Sequence, residues 1–408
     1  AGTSVSCGRN DDRYNIAMFA YKYDDSYIST VRTALASKFK AHAEEIAYTA
    51  YNGENSQQTQ STQIDTAIIK GADLLLINAV DFQASGKALA RKAKERDLPV
   101  IFFNREVSDE AVNLSDKFCF VGTDPTAPGY MLGQMIAELL STDESFRKYD
   151  LNGDGKIQYA MFRAEVGNAE ADGRTKYSVS EANRILAENT GLTVANKSGD
   201  ILQRVGEEQM ANWDSATANS MMSALFKVEN NRPNIELVIC NNDDMALGVI
   251  SALKAKGYNE TGSKNDASKP YIPVYGVDAL ATALDAMRNG SMEATVRQDG
   301  EAMAEAIEKI ALNIKVGKDF LAGTDYQFDA GGRKLRIPYT PVTEENLVQA
   351  KVEENTQYQS MKIRIKYMYE NGNMEFIEVL ADSENISDFL NKTEYISMLS
   401  EYDRDKLK

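Results

Sequence analysis

The sequence predicts an α/β protein with two parallel sheets, each covered by helices on both faces. Three observations carry that expectation. Short apolar runs alternate with longer amphipathic stretches, the runs number about ten, which suits two sheets better than one, and Asp or Asn stands just after several of them. Continuous apolar runs belong to strands buried on both faces, the environment of a parallel sheet.

The elements follow in order. A strand over 15–21 opens the alternation, and an amphipathic helix over 27–43 follows it. A strand over 47–51 leads to a helix over 57–70. The runs 74–78, 100–103 and 119–121 are strands of Leu, Ile, Val and Phe, with helices over 87–96 and 129–140 following the first and the third. After a polar loop at 150–156 come strand 157–162, helix 174–189, strand 193–203 and helix 215–226. Strand 237–240, helix 244–256, strand 272–275, helix 281–289 and strand 293–296 continue the pattern. From 361 apolar and polar residues alternate, Asn371-Gly372 supplies a hairpin turn, and a helix over 387–401 follows, so 356–408 is expected to be a small hairpin-helix extension.

In such sheets ligands bind beyond the C-terminal strand ends. There the chain places Lys22-Tyr-Asp-Asp25, Asn104-Arg-Glu106, Asn241-Asn-Asp-Asp244 and Gly276-Val-Asp278. Each can be read as a helix N-cap, which Asp and Asn favour. Their recurrence in both halves fits a binding cleft between two lobes better, since a cap needs only one such residue.

Composition narrows the function. The 408 residues hold 61 acidic and 45 basic side chains, a net charge of -16, so nucleic acid is not the expected partner. The single histidine, His42, removes most histidine-based catalysis and most zinc sites. No membrane-spanning run is present. Cys119 and Cys240 lie in apolar strands and read as core residues. Cys7 follows Ser4-Val-Ser in a flexible leader over 1–13 and is the expected point of lipid attachment, as at a bacterial lipoprotein cleavage site.

Catalytic signatures are absent: no G-x-S-x-G elbow, no phosphate-binding G-x-x-x-x-G-K-[ST] loop and no H-E-x-x-H helix occurs. The polar set instead suits hydroxyl recognition. Asp25, Asn104, Asn168, Glu170, Asn242 and Asp278, with Arg174, offer the paired donors and acceptors that neighbouring sugar hydroxyls require. Trp213, the one tryptophan, is read as a platform for the apolar face of a sugar ring, against the alternative of a structural tryptophan.

The nonapeptide D-L-N-G-D-G-K-I-Q from Asp150 has the spacing of a calcium loop. Asp150, Asn152, Asp154 and Gln158 fall on positions 1, 3, 5 and 9, Gly155 supplies the turn, and Lys156 offers a carbonyl at position 7. Position 12 is Met161, which cannot ligate. The loop is therefore either an Asx-rich turn or a site closed by a carboxylate from elsewhere.

With those residues set out, the chain from 14 to 351 resembles the periplasmic glucose/galactose-binding proteins of bacterial ABC sugar importers. Seven blocks carry the resemblance in order: Tyr21-Lys-Tyr-Asp-Asp25, Phe102-Phe-Asn-Arg-Glu106, Phe120-Val-Gly-Thr-Asp124, the stretch from Asp150 to Tyr159, Asn212-Trp-Asp214, the stretch from Ile235 to Asp243 and Val274-Tyr-Gly-Val-Asp-Ala-Leu280. The resemblance implies a two-lobed periplasmic binding protein fold with a hinge of crossing strands and closure on binding. It implies hydroxyl ligands at Asp25, Asn104, Arg174, Asn242 and Asp278, with Trp213 and Tyr27 covering the two faces of the ring. At Tyr27 the family more often has Phe, and Asn168, Glu170 and Gln298 replace a family His, Asp and Asn. The hexose class is thus better supported than the choice of hexose. The resemblance also implies that Glu236 closes a structural calcium site.

The implied protein captures D-glucose or D-galactose outside the cytoplasm, in the periplasm or at the cell surface, and delivers it to an ABC permease, with a chemoreceptor as a second candidate partner. It is a monomer and does no chemistry on the sugar. Its first lobe is expected over 14–123 and 298–334, its second over 124–297 and 335–355. A protein for another monosaccharide, a repressor core and a sugar-processing enzyme are the alternatives.

Overall fold

The computed structural model describes residues 12–226 and 235–350. The chain begins β1 (Tyr14–Ala20), α1 (Ser26–Lys40), β2 (Ile46–Asn52), α2 (Gln57–Ile69), β3 (Leu74–Ile77), α3 (Ser85–Glu95), β4 (Val100–Phe103), α4 (Asp109–Val112) and β5 (Phe118–Gly122). Helices α5 (Ala127–Leu139) and α6 (Asp143–Tyr149) lead to β6 (Ile157–Arg163), α7 (Ala169–Glu188), β7 (Leu202–Arg204), β8 (Gln209–Met210) and α8 (Ser215–Leu225). Then come β9 (Leu237–Cys240), α9 (Asp243–Lys254), β10 (Val274–Tyr275), α10 (Ala281–Arg288), β11 (Thr295–Gln298), α11 (Gly300–Lys315), β12 (Lys334–Arg336) and β13 (Tyr339–Val342).

These elements divide into two compact units. The first holds the described residues up to Thr123 together with Gly300–Ile337, and the second holds Asp124–Asp299 and the described residues from Pro338. The first unit contains a six-stranded sheet in the order β12-β5-β4-β3-β1-β2, parallel throughout. The second contains β10-β9-β6-β7, with β8 also pairing β6, again parallel, and an antiparallel pair β11-β13.

Alternation along each strand builds two cores per sheet, because successive side chains point to opposite faces. In the first unit Ile16, Met18, Leu74, Leu76, Ile101, Phe103, Cys119 and Val121 face α1 and α11. Ala17, Phe19, Leu75, Ile77, Val100, Phe102, Phe118 and Phe120 face the other way, toward α2 and α3. The second unit repeats the device, with Ala160, Phe162, Val238, Cys240 and Val274 on one face and Tyr159, Met161, Leu237, Ile239 and Tyr275 on the other. Each fully buried Val, Leu, Ile, Phe or Met among them stabilises by about 1.5–3 kcal/mol.

Some expectations change. The strand expected over 193–203 is extended only at Leu202–Arg204. Thr193 is held instead by the Asp143 carboxylate, and the Asn196 amide donates to the Gly155 carbonyl at 2.7 Å, so this segment braces loops rather than pairing along a sheet. Helix α7 starts at Ala169, five residues before Arg174, because Asn168 caps it. Helix α11 adds an element that the strand list did not include. The leader with Cys7 and the extension 356–408 lie outside the described residues.

Candidate functional site

The first sheet winds in opposite directions from the boundary between β1 and β3, the place where α/β sheets open a crevice at their C-terminal strand ends. Asp25 stands just after β1. Its Oδ1 accepts from the Ile28 amide (2.8 Å) and so caps α1, while its Oδ2 accepts from the Tyr21 hydroxyl. Asn104 follows β4 with φ of 59°, a left-handed conformation that Asn tolerates better than most residues. Its amide donates to the Val121 carbonyl (3.0 Å), and its Oδ1 accepts from Nδ2 of Asn78 (3.2 Å).

Asn78 is a residue the sequence reading did not single out as functional. It is fully buried at the end of β3, where Oδ1 accepts from the Tyr21 amide (3.0 Å) and Nδ2 donates to the Phe103 carbonyl (3.2 Å). One side chain thereby fixes the ends of three neighbouring strands beneath Asp25 and Asn104. Tyr21 is held further by the Arg105 guanidinium, 4.3 Å from its ring centroid. Tyr27 is buried in the core between α1 and the sheet, with its hydroxyl donating to Sδ of Met303 (3.7 Å).

In the second unit the corresponding boundary lies between β6 and β9. A second asparagine, Asn241, repeats the role of Asn78: fully buried after β9, it accepts from the Ala164 amide (3.1 Å) and donates to Oγ1 of Thr175 (3.0 Å). Next to it Asn242 caps α9 through the Met245 amide (3.0 Å). Three of the expected ligands, Asp25, Asn168 and Asn242, are thus helix caps as well as strand-end groups.

Arg174 is the centre of this cluster. Its Nη1 donates to the Asn241 carbonyl (2.7 Å) and lies 3.9 Å from Oδ1 of Asp278. Its Nη2 donates to Oε1 of Gln298 (3.0 Å), to the Tyr339 hydroxyl (2.9 Å) and, at 3.4 Å, to Oε2 of Glu170. Burial opposes the charge, but Tyr339, Glu170 and Asp278 outweigh it and raise the guanidinium pKa above its ordinary value. Trp213 lies beside the cluster, its ring centroid 5.7 Å from the guanidinium. Its indole donates to Glu165 (2.7 Å), and Glu165 also accepts from Asn168 (3.3 Å), so a carboxylate absent from the expected set orients two members of it.

Asp278 occupies a strained turn. Its φ is 125° and that of Ala279 is 56°, conformations that non-glycine residues rarely adopt and that cluster at ligand sites. Buried Asp243 holds this turn, accepting from the Thr295 hydroxyl (2.7 Å) and the Leu280 amide (2.9 Å). Burial pushes the Asp243 carboxyl up to about 7. Gly276 is required beside it, since a Cβ there would stand 2.3 Å from Oδ1 of Asp243.

The loop after α6 brings Glu236 against it. Glu236 Oε1 accepts from the Leu151 amide (2.6 Å) and Oε2 from the Gln158 amide (2.8 Å). Asp150 accepts from the amides of Gly153, Asp154 and Gly155, while Asn152, Gln158 and Asp154 are linked in a chain of side-chain bonds. Lys156 turns its ammonium away to the carbonyls of Ser198 and Asp200. Burial, with the nearby charge of Asp150, pushes the Glu236 carboxyl up to about 7. Among the described residues no Lys or Arg pairs with either carboxylate, and no group of three His, Cys, Asp or Glu side chains forms a ready metal cluster. The donor set is mixed, two Asp, a Glu, two side-chain amides and a carbonyl, and oxygen-rich sets of this kind fit a hard cation.

A family model described as the periplasmic binding protein domain matches residues 16–319. A model for the coiled-coil domain of the peptidoglycan hydrolase PcsB matches 347–408. The D-galactose/methyl-galactoside binding periplasmic protein MglB of Haemophilus influenzae is 31% identical over 346 residues, 85% of this chain and 94% of that protein. A rhizopine-binding protein of Rhizobium meliloti, named as putative, is 28% identical over 72% of this chain and 79% of its own. Among solved structures, an ABC transporter solute binding protein from Bacillus halodurans with bound myo-inositol superposes with a TM-score of 0.62 at 23% identity, covering 84% of this chain and 99% of that one, a likeness of fold. By the family model across most of its length and by its relation to MglB, the chain belongs to the periplasmic binding protein family.

Proposed function

We propose that this protein captures a monosaccharide, a hexose of the galactose or glucose type, and delivers it to an ABC permease. The observation that carries the reading is the buried cluster around Arg174, in which Glu170, Asp278 and Gln298 present charged and amide groups beside the flat face of Trp213. Bidentate polar groups beside an aromatic plane suit a ring that has hydroxyls at its edge and C–H groups on its face. Asp25, Asn104, Asn168 and Asn242 are proposed as further hydroxyl ligands. Tyr27 is proposed as a ring-covering residue, although its hydroxyl is engaged by Met303. The relation to MglB, whose name states D-galactose and methyl-galactoside, supports the choice of hexose.

The family places its members outside the cytoplasmic membrane, and among the described residues no helix is long and apolar enough to cross it. Lipid attachment at Cys7 is part of the proposal. So is a structural calcium ion at Asp150, Asn152, Asp154, Gln158, the Lys156 carbonyl and Glu236, where it would neutralise the Asp150 and Glu236 carboxylates and tie the loop to the head of β9.

Trp213 is the only tryptophan, so its emission reports on the proposed site without interference. Titration with D-galactose and D-glucose is expected to give a saturable change in emission. A flat signal with every monosaccharide tried, together with no heat of binding, contradicts the reading.

A further inference from the structure

Strands β11 and β13 pair antiparallel, and their register sets Tyr339 directly opposite Gln298. The Tyr339 hydroxyl donates to Oε2 of Glu170 (2.8 Å) and accepts from Nη2 of Arg174 (2.9 Å). The same Nη2 donates to Oε1 of Gln298 (3.0 Å). Arginine carries donors only, so the oxygen end of the Gln298 amide is the end that meets it, and Nε2 is left as the other end. Two buried donors then have no protein partner among the described residues, Nε of Arg174 and Nε2 of Gln298. They flank one contact, and Nε shares an edge of the guanidinium with Nη2.

Buried donors are normally paired, and a site that leaves them open is completed by an acceptor from a ligand. We infer that Tyr339 is a specificity-determining positioning residue: by engaging Glu170 and Nη2 of Arg174 it leaves Nε of Arg174 and Nε2 of Gln298 to receive one acceptor oxygen of the bound sugar. The inference rests on the monosaccharide reading above. It adds a rule of selection. A sugar with oxygen at that position satisfies both donors, whereas a deoxy analogue leaves them buried and unpaired, the arrangement that separates close analogues most strongly.

The test is a cycle of variants against ligands. The full chain is titrated with the hexose that binds it best and with each monodeoxy analogue, then Tyr339→Phe and Gln298→Met are titrated with the same panel. In the wild-type protein one analogue is expected to bind at least about tenfold more weakly than its parent, the loss of a hydrogen bond to a charged group. In Gln298→Met and in Tyr339→Phe that penalty is expected to fall below about threefold, while the parent itself binds more weakly. A Tyr339 that only packs the core would weaken parent and analogues by one common factor, and an unchanged penalty in Tyr339→Phe overturns the inference. If the wild-type protein binds no monosaccharide, the functional reading itself fails and takes this inference with it.

Discussion

A buried asparagine ends the strand beside each winding boundary, and the two residues do the same physical work. Asn78 and Asn241 replace backbone hydrogen bonds that diverging strands cannot make, which keeps Asn104 in the first unit and Arg174 in the second in place. Asn78→Ala would leave the Tyr21 amide and the Phe103 carbonyl buried without this partner. At about 1–3 kcal/mol for each unpaired group, the variant is expected to lose at least about 2 kcal/mol in urea unfolding. Trp213→Ala is expected to abolish measurable hexose binding with the circular dichroism unchanged, and retained affinity would remove Trp213 from the site. Asp243 gives a pH prediction. Burial raises its folded pKa from the ordinary 3.8 to about 7, so the folded state holds the proton more tightly. Its contribution is therefore full below about 4 and is lost as pH rises toward about 7. Asp243→Asn, which keeps the shape of the protonated form, is expected to gain stability relative to wild type across that window, and a difference that does not vary with pH would contradict the assignment. The residues singled out from sequence were polar groups near the ends of apolar runs and the one tryptophan. Tyr339 and Glu165 were not among them, because their roles arise from partners distant in sequence: Tyr339 meets Gln298 through strand register, and Glu165 meets Trp213 48 residues further along the chain.

At the scale of elements, the parallel strands were legible because burial on both faces makes them continuously apolar, as in 74–77 and 100–103. The segment 193–203 misled because Val194 and Ile201 are apolar for a different reason: they pad one core from a loop ahead of β7, with Asn196 braced against Gly155. Helix α11 carries Met303, Ile307, Ile310 and Ala311 at helical spacing and was within reach of the same reasoning. The loop at 150–158 was legible by spacing, and the place of Glu236 came from resemblance, since no local pattern links residues so far apart. Calcium is expected to raise the melting temperature by joining that loop to β9. Glu236→Gln is expected to remove most of the rise, as measured by thermal unfolding with calcium and with chelator, and an equal rise in both proteins would dismiss Glu236 as a ligand.

Across the whole molecule, the chain passes between its two units after Thr123, after Asp299 and after Ile337, so neither unit is a single continuous stretch of sequence. That interleaving was not visible in the periodicity of strands and helices, which would serve a tandem arrangement equally well, and it entered only through the family resemblance. The chain belongs to a family of binding proteins, so incubation of hexose with stoichiometric protein is expected to return the sugar unchanged. The reading rests on one hexose bound per chain, and calorimetric titration with D-galactose and D-glucose in the presence of calcium measures this. Saturable binding is expected with a stoichiometry of about one, lost at least about tenfold in Asp25→Asn, which preserves the helix cap, and in Arg174→Ala. Undiminished affinity in both variants, or no heat with any monosaccharide, would contradict it.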